Sequence, residues 1–152
     1  MANQVDSSEV IEAFSCLPWH DSKLLGFAVS DESSGETVVT FDVVFRPVGG
    51  VGGRAEVRFN NARGIHAEVD LLAKSICSDH IASGTCEKAE ESAEEFVCRL
   101  DERIDDLYPG ETMEGLFLFF VDLIHPGGKV LVLARTFSVT ARAPEPPGAT
   151  PP

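Results

Sequence analysis

Long apolar runs and basic residues are what this 152-residue chain most lacks. Its longest apolar stretch, Leu116 to Val121, is far short of the ~20 residues that cross a bilayer as a helix, so no transmembrane helix is expected. Lys and Arg number 12 against 25 Asp and Glu, for a net charge of −13. That field repels phosphate backbones and anionic lipid surfaces at long range, which argues against nucleic acid or a membrane as partner. The opening MANQVDSSEV has neither a basic segment nor an apolar one. It therefore does not read as a secretion signal, and a cytoplasmic protein is expected. Cysteines are few: Cys16, Cys77, Cys86 and Cys98 suit reduced, partly buried thiols in such a chain better than a disulfide framework.

What is present is enough for one core. With 43% hydrophobic residues at the length of an ordinary domain, residues 1–142 are expected to form a single unit. The tail APEPPGATPP, residues 143–152, has five prolines and nothing to bury, and reads as disordered or polyproline-like. Asp6 and Glu9 are placed to cap a short helix carrying Val10, Ile11 and Phe14, with Pro18 as its limit. Alternation then predicts strands over Lys23–Val29, Thr37–Phe45 and Arg54–Phe59, and from Ile65 to Asp70. Between them GGVGG, residues 49–53, is a loop without the lysine or the strand-to-helix setting of a phosphate cradle.

From Glu87 the period lengthens. Ala89, Ala93, Phe96, Val97, Leu100, Ile104 and Leu107 recur at three- and four-residue spacings, predicting one amphipathic helix over 87–107. Gly115–His125 is apolar on both alternating faces, as a strand covered on both sides would be. HPGGK then turns the chain into a last strand, Lys129–Thr140. The fold class is accordingly α+β: a predominantly antiparallel sheet of about five or six strands, one long amphipathic helix packed on one face, and a short N-terminal helix.

Five groups of residues could carry chemistry. Trp19, His20, Asp21 and Ser22 resemble a catalytic triad in text, but successive residues on an extended chain alternate faces, and short polar residues of this kind more often close a turn. Cys77, His80, Cys86 and Cys98 offer one close-spaced pair of zinc ligands without the second pair that a site requires, so no metal is expected. His66, Glu68 and Asp70 share one strand face, which alternation with Ile65, Ala67 and Val69 assigns to solvent. Asp122 is the lone carboxylate on an apolar strand face and needs a partner, for which Arg135 on the next strand is available. The run EKAEESAEE, residues 87–95, places Glu90, Glu91, Glu94 and Glu95 where clustered carboxylates could imitate a phosphate backbone to a cation-rich protein.

Three segments, LPWHDSKLLGF, VRFNNARGIHAEVDL and LFLFFVDLIHPGGKVLVLARTFSVT, occur in an order that resembles a loosely defined group of small bacterial proteins with a W/F-H-D strand entry. That group is similar to immunity proteins of polymorphic-toxin systems. The resemblance implies a single-domain cytosolic binder without a cofactor, and the acidic surface points to a basic partner such as a nuclease toxin. A protein partner met through Glu90, Glu91, Glu94 and Glu95 is therefore the expected function. The alternative is a small hydrolase or metal-dependent enzyme combining Trp19, His20 and Asp21 with His66 or Asp122.

Overall fold

The computed structural model describes residues 6–48, 51–69, 80–107, 110, 112–124 and 128–142. Asp70, Cys77 and the tail 143–152 lie outside the described residues. Helix α1, Ser7–Ser15, starts where expected, with the Asp6 carboxylate accepting from the Ser8 backbone N–H. Strands β1, Lys23–Asp31, and β2, Thr37–Val48, form a hairpin that β3, Val51–Asn60, extends. Then come β4, Gly64–Val69; β5, Ile81–Lys88; helix α2, Glu95–Leu107; β6, Phe117–Leu123; β7, Gly128–Ala134; and β8, Thr136–Ala141.

The protein is α+β, but its eight strands form two antiparallel sheets of four, ordered β1-β2-β3-β8 and β4-β7-β6-β5, where one sheet of five or six was expected. The difference arises at two bends. The expected strand Lys129–Thr140 breaks at Arg135 into β7 and β8, which belong to different sheets, and β3 passes through Asn61–Arg63 into β4 in the same way. The two bends are stitched together: the Arg63 N–H donates to Leu133 O at 2.7 Å, and the Arg135 N–H to Asn60 O at 3.1 Å. Strands that switch sheets through such bends are how a sandwich turns its corners. Alternation reports which residues share a face and is blind to a bend of this kind.

Between the sheets lies the main core. Val39, Phe41, Val43 and Phe45 of β2, with Val57 and Phe59 of β3, meet Phe117, Phe119 and Val121 of β6 and Val130 and Val132 of β7. Helix α1 inserts Phe14 into it, with ring centroids 4.9 Å from Trp19, 4.9 Å from Phe119 and 5.1 Å from Phe137. The other face of β6 and β7 presents Leu118, Leu131 and Leu133 to Val97, Ile104 and Leu100 of α2. Strand β6 is thus covered on both sides, which is why nearly all its residues are apolar. Gly64 lets α2 approach β4, since a Cβ there would stand 2.7 Å from the Leu100 Cδ1.

Helix α2 begins at Glu95, eight residues later than expected. Glu87 and Lys88 end β5, and Ala89–Glu91 make a single 3₁₀ turn. The Ala89 N–H donates to Leu116 O at 3.0 Å, and the Ala89 side chain is buried in the α2 cluster. Ala89 and Ala93 complete the helical stripe in the sequence, yet in the fold Ala89 seals a strand-to-turn junction and Ala93 is exposed. Among the described residues no helix is long and apolar enough to cross a membrane.

Candidate functional site

WHDS is the turn that joins α1 to β1. Trp19 is buried, its ring tilted or edge-on to Phe14 and Phe45, and its Nε1–H donates to Phe14 O at 2.7 Å. Gly84 of β5 lies flat beneath that ring, where any Cβ would enter it. Asp21 takes the left-handed conformation, φ 62°, which Asp adopts more readily than most residues. The Asp21 N–H donates to Ile81 O at 2.9 Å, and the Ile81 N–H to Ser22 O at 2.7 Å, so the turn is fastened to the start of β5. Buried Ser22 completes the knot, its hydroxyl donating to Pro18 O and accepting from the Arg46 N–H at 2.8 Å. Ser22→Ala strands both partners and should cost about 1–3 kcal/mol, read as a lowered urea midpoint at unchanged slope.

His20 and Asp21 point outward. His20 Nε2 stands 3.6 Å from Asp21 Oδ2, which is also 3.6 Å from Arg46 Nη1, in an exposed group. His66 does not join them. It lies on the face of the second sheet that α2 covers, half-buried with its ring 5.6 Å from that of Phe96, where a solvent face was expected, whereas Glu68, farther along the same face, is exposed as expected. Asp122 shares that face, and its cross-strand neighbour there is Lys129, not Arg135. Register aligns Glu68, Lys129, Asp122 and Ser83 in one row across β4, β7, β6 and β5, and the Ser83 hydroxyl donates to Asp122 Oδ2 at 3.3 Å. Register thus sets a lysine between two carboxylates, while the ion pair that Lys129 makes is with Glu94 of the neighbouring connection, at 3.9 Å. No hydrogen bond or ion pair among the described residues links His20 or Asp21 to His66 or Asp122.

Nor do Cys86 and Cys98 converge. Cys86 faces the core between the sheets, whereas Cys98 is exposed on α2, on the opposite side of the second sheet. Among the described residues no group of three His, Cys, Asp or Glu is placed to hold a metal ion. Burial, reinforced by the neighbouring Glu87 charge, pushes the Cys86 thiol up to about 12 from 9.0. Unfolding releases this group to titrate at its ordinary value, so the folded state binds more protons between pH 9.0 and 12 and its stability falls as pH rises through that window. Cys86→Ala should flatten that loss of stability, measured as urea midpoints on either side of pH 9.0.

Charge is distributed unevenly over the surface. On the outer face of the first sheet each arginine has an acid: Arg54 holds Asp42 through two bonds of 3.1 and 2.7 Å, Arg58 meets Glu32 at 2.9 Å, and Arg142 meets Glu56 at 2.7 Å. The Arg54 hydrogen bond holds the Asp42 carboxyl below its usual value against the opposing effect of burial. Residues 87–107 differ, with nine acids against three bases. Glu90 and Glu91 lie on the 3₁₀ turn and Glu95 opens α2, all exposed, so the four glutamates project from a bent connection and not from one helical face. Their one ion pair among the described residues is Glu94 Oε2 with Lys129 Nζ at 3.9 Å.

This connection also borders an open cavity of about 140 Å³ between the 3₁₀ turn and α2, lined by Ala89, Glu90, Ser92, Val97, Cys98, Asp101 and Met113. Asp101 and Met113 were not legible as site residues. Asp101 lies one turn beyond Cys98, a spacing that places it on the same helix face, but the sequence carries no sign of the 3₁₀ turn that walls the other side. Compared with protein-family models, with curated proteins and with solved structures, the chain finds no match.

Proposed function

We propose that the chain is a non-enzymatic protein-binding domain whose acidic connection between β5 and α2 docks on a basic protein, as an immunity protein does on a basic toxin such as a nuclease. The observation that carries this reading is the contrast in pairing. Arginines neutralise the acids on the outer face of the first sheet, whereas Glu90, Glu91 and Glu95 are exposed without ion pairs among the described residues. Unpaired, clustered charge on a rigid scaffold sets the rate and choice of an oppositely charged partner. The enzymatic alternative draws no comparable support, because its residues are divided between an exposed turn, a helix-covered face and a cross-strand row. The test is capture from host cells with the products of neighbouring genes present. The captured partner should be basic, and its association should slow steeply as salt is added. A tight complex with an acidic partner, or one indifferent to salt, refutes the reading.

A further inference from the structure

We infer that the cavity between the 3₁₀ turn Ala89–Glu91 and α2 takes a lysine side chain, with its aliphatic stem on Ala89, Val97 and Met113 and its ammonium between Glu90 and Asp101. This rests on the reading of the acidic connection as a docking surface and gives that surface an anchor point.

Three features select this occupant. First, the floor is apolar and sheltered: Ala89 and Val97 are 2% exposed and Met113 is 6% exposed, so a purely ionic ligand would leave it wet and unused. Second, the rim is acidic, because Glu90 and Asp101 are exposed and make no ion pair or side-chain hydrogen bond among the described residues. Third, the volume of about 140 Å³ equals that of roughly five waters at ~30 Å³ each, room for one extended side chain. A lysine matches all three, since it lays its methylenes along apolar surface while holding its charged head at the water boundary. Its ammonium offers three donors and no acceptor, suited to the two carboxylates and to the Ser92 hydroxyl, which also lines the cavity and already accepts from the Glu94 N–H at 3.2 Å. Arginine fits less well, as no aromatic ring lines the cavity for a guanidinium to stack upon.

The experiment titrates the ¹⁵N-labelled full chain with N-acetyl-lysine N-methylamide, with its ε-acetylated form and with the norleucine analogue. The lysine compound should shift the amides of Ala89, Glu90, Val97, Cys98 and Met113 saturably, while the ε-acetylated and norleucine compounds should not. E90Q/D101N should weaken that binding roughly tenfold, the loss of one charged hydrogen bond's worth of affinity. E9Q/E12Q, which removes as much charge from the exposed side of α1, should leave it nearly unchanged. Equal shifts with norleucine, or equal loss in the two double variants, overturn the pocket. If a basic protein is captured while the lysine compound does not seat, the pocket falls and the docking surface stands. If the compound seats and no basic protein is captured, the wider reading falls and the cavity stands as a lysine site.

Discussion

Trp19→Ala should lower the free energy of unfolding by about 3–5 kcal/mol, the usual cost of removing a buried aromatic side chain from a core that closes only partly. Three losses combine. The ring touches Phe14 and Phe45 and roofs Gly84, so its removal opens a void among α1, β2 and β5. The buried Phe14 carbonyl loses its donor. The turn that fastens residues 19–22 to β5 also loses the body about which it is wrapped. Small domains are stable by about 5–15 kcal/mol, so roughly a fifth or more of the total is at stake. Urea unfolding followed by far-UV circular dichroism is the suitable measurement, because the substitution removes the only tryptophan. Trp19→Phe should restore most of the packing but not the hydrogen bond, leaving a deficit of about 1 kcal/mol. A Trp19→Ala midpoint close to the parent's would show that α1 and the WHDS turn are peripheral to the core.

The same turn shows what a sequence discloses. Trp19 and Ser22 are inward and Asp21 turns the chain, as short polar residues before a strand suggest, while His20 is left outside. Strand β6 was legible because two covered faces leave an unbroken apolar run that a half-exposed strand could not tolerate. The corners were not. Arg135 sits between the continuous apolar run Val130–Ala134 and the alternating TFSVTA, and neither pattern says which sheet its segment joins. The start of α2 was misplaced for a related reason. Alanine packs at either a strand end or a helix face, so Ala89 satisfies a helical spacing while lying under Leu116 at the end of β5. Asp122 has a partner, but not the arginine its surroundings suggest: register sets Lys129 beside it, and the group that bonds its carboxylate is the Ser83 hydroxyl on β5. The candidate docking site is therefore half readable. Its charge is local and visible in EKAEESAEE, but its cavity needs Asp101 and Met113, brought in by helix and loop geometry that no local pattern encodes.

Reversing the four glutamates, E90K/E91K/E94K/E95K, should slow association with the basic partner roughly 10- to 1,000-fold at low ionic strength, the range over which surface fields steer encounters. The substitution moves the net charge from −13 to −5, so the molecule stays acidic and a loss of this size reports where the charge lies. A matched pair separates location from total: E90Q/E91Q and S33K/S34K each shift the net charge by two units, the second pair on the exposed turn between β1 and β2. Only the first should slow the encounter markedly. Screening supplies the second axis. Near 1 M salt the Debye length contracts to about 3 Å, and the rates of parent and variants should draw together. Lysines at 94 and 95 oppose the dipole at the start of α2, at about 0.3–1 kcal/mol each, and the exposed Lys129 pair is lost at little cost, so the fold should persist by circular dichroism. Equal slowing by both double variants would mean that the partner senses only overall charge. An unchanged rate in the fourfold variant would place the binding face elsewhere on the molecule.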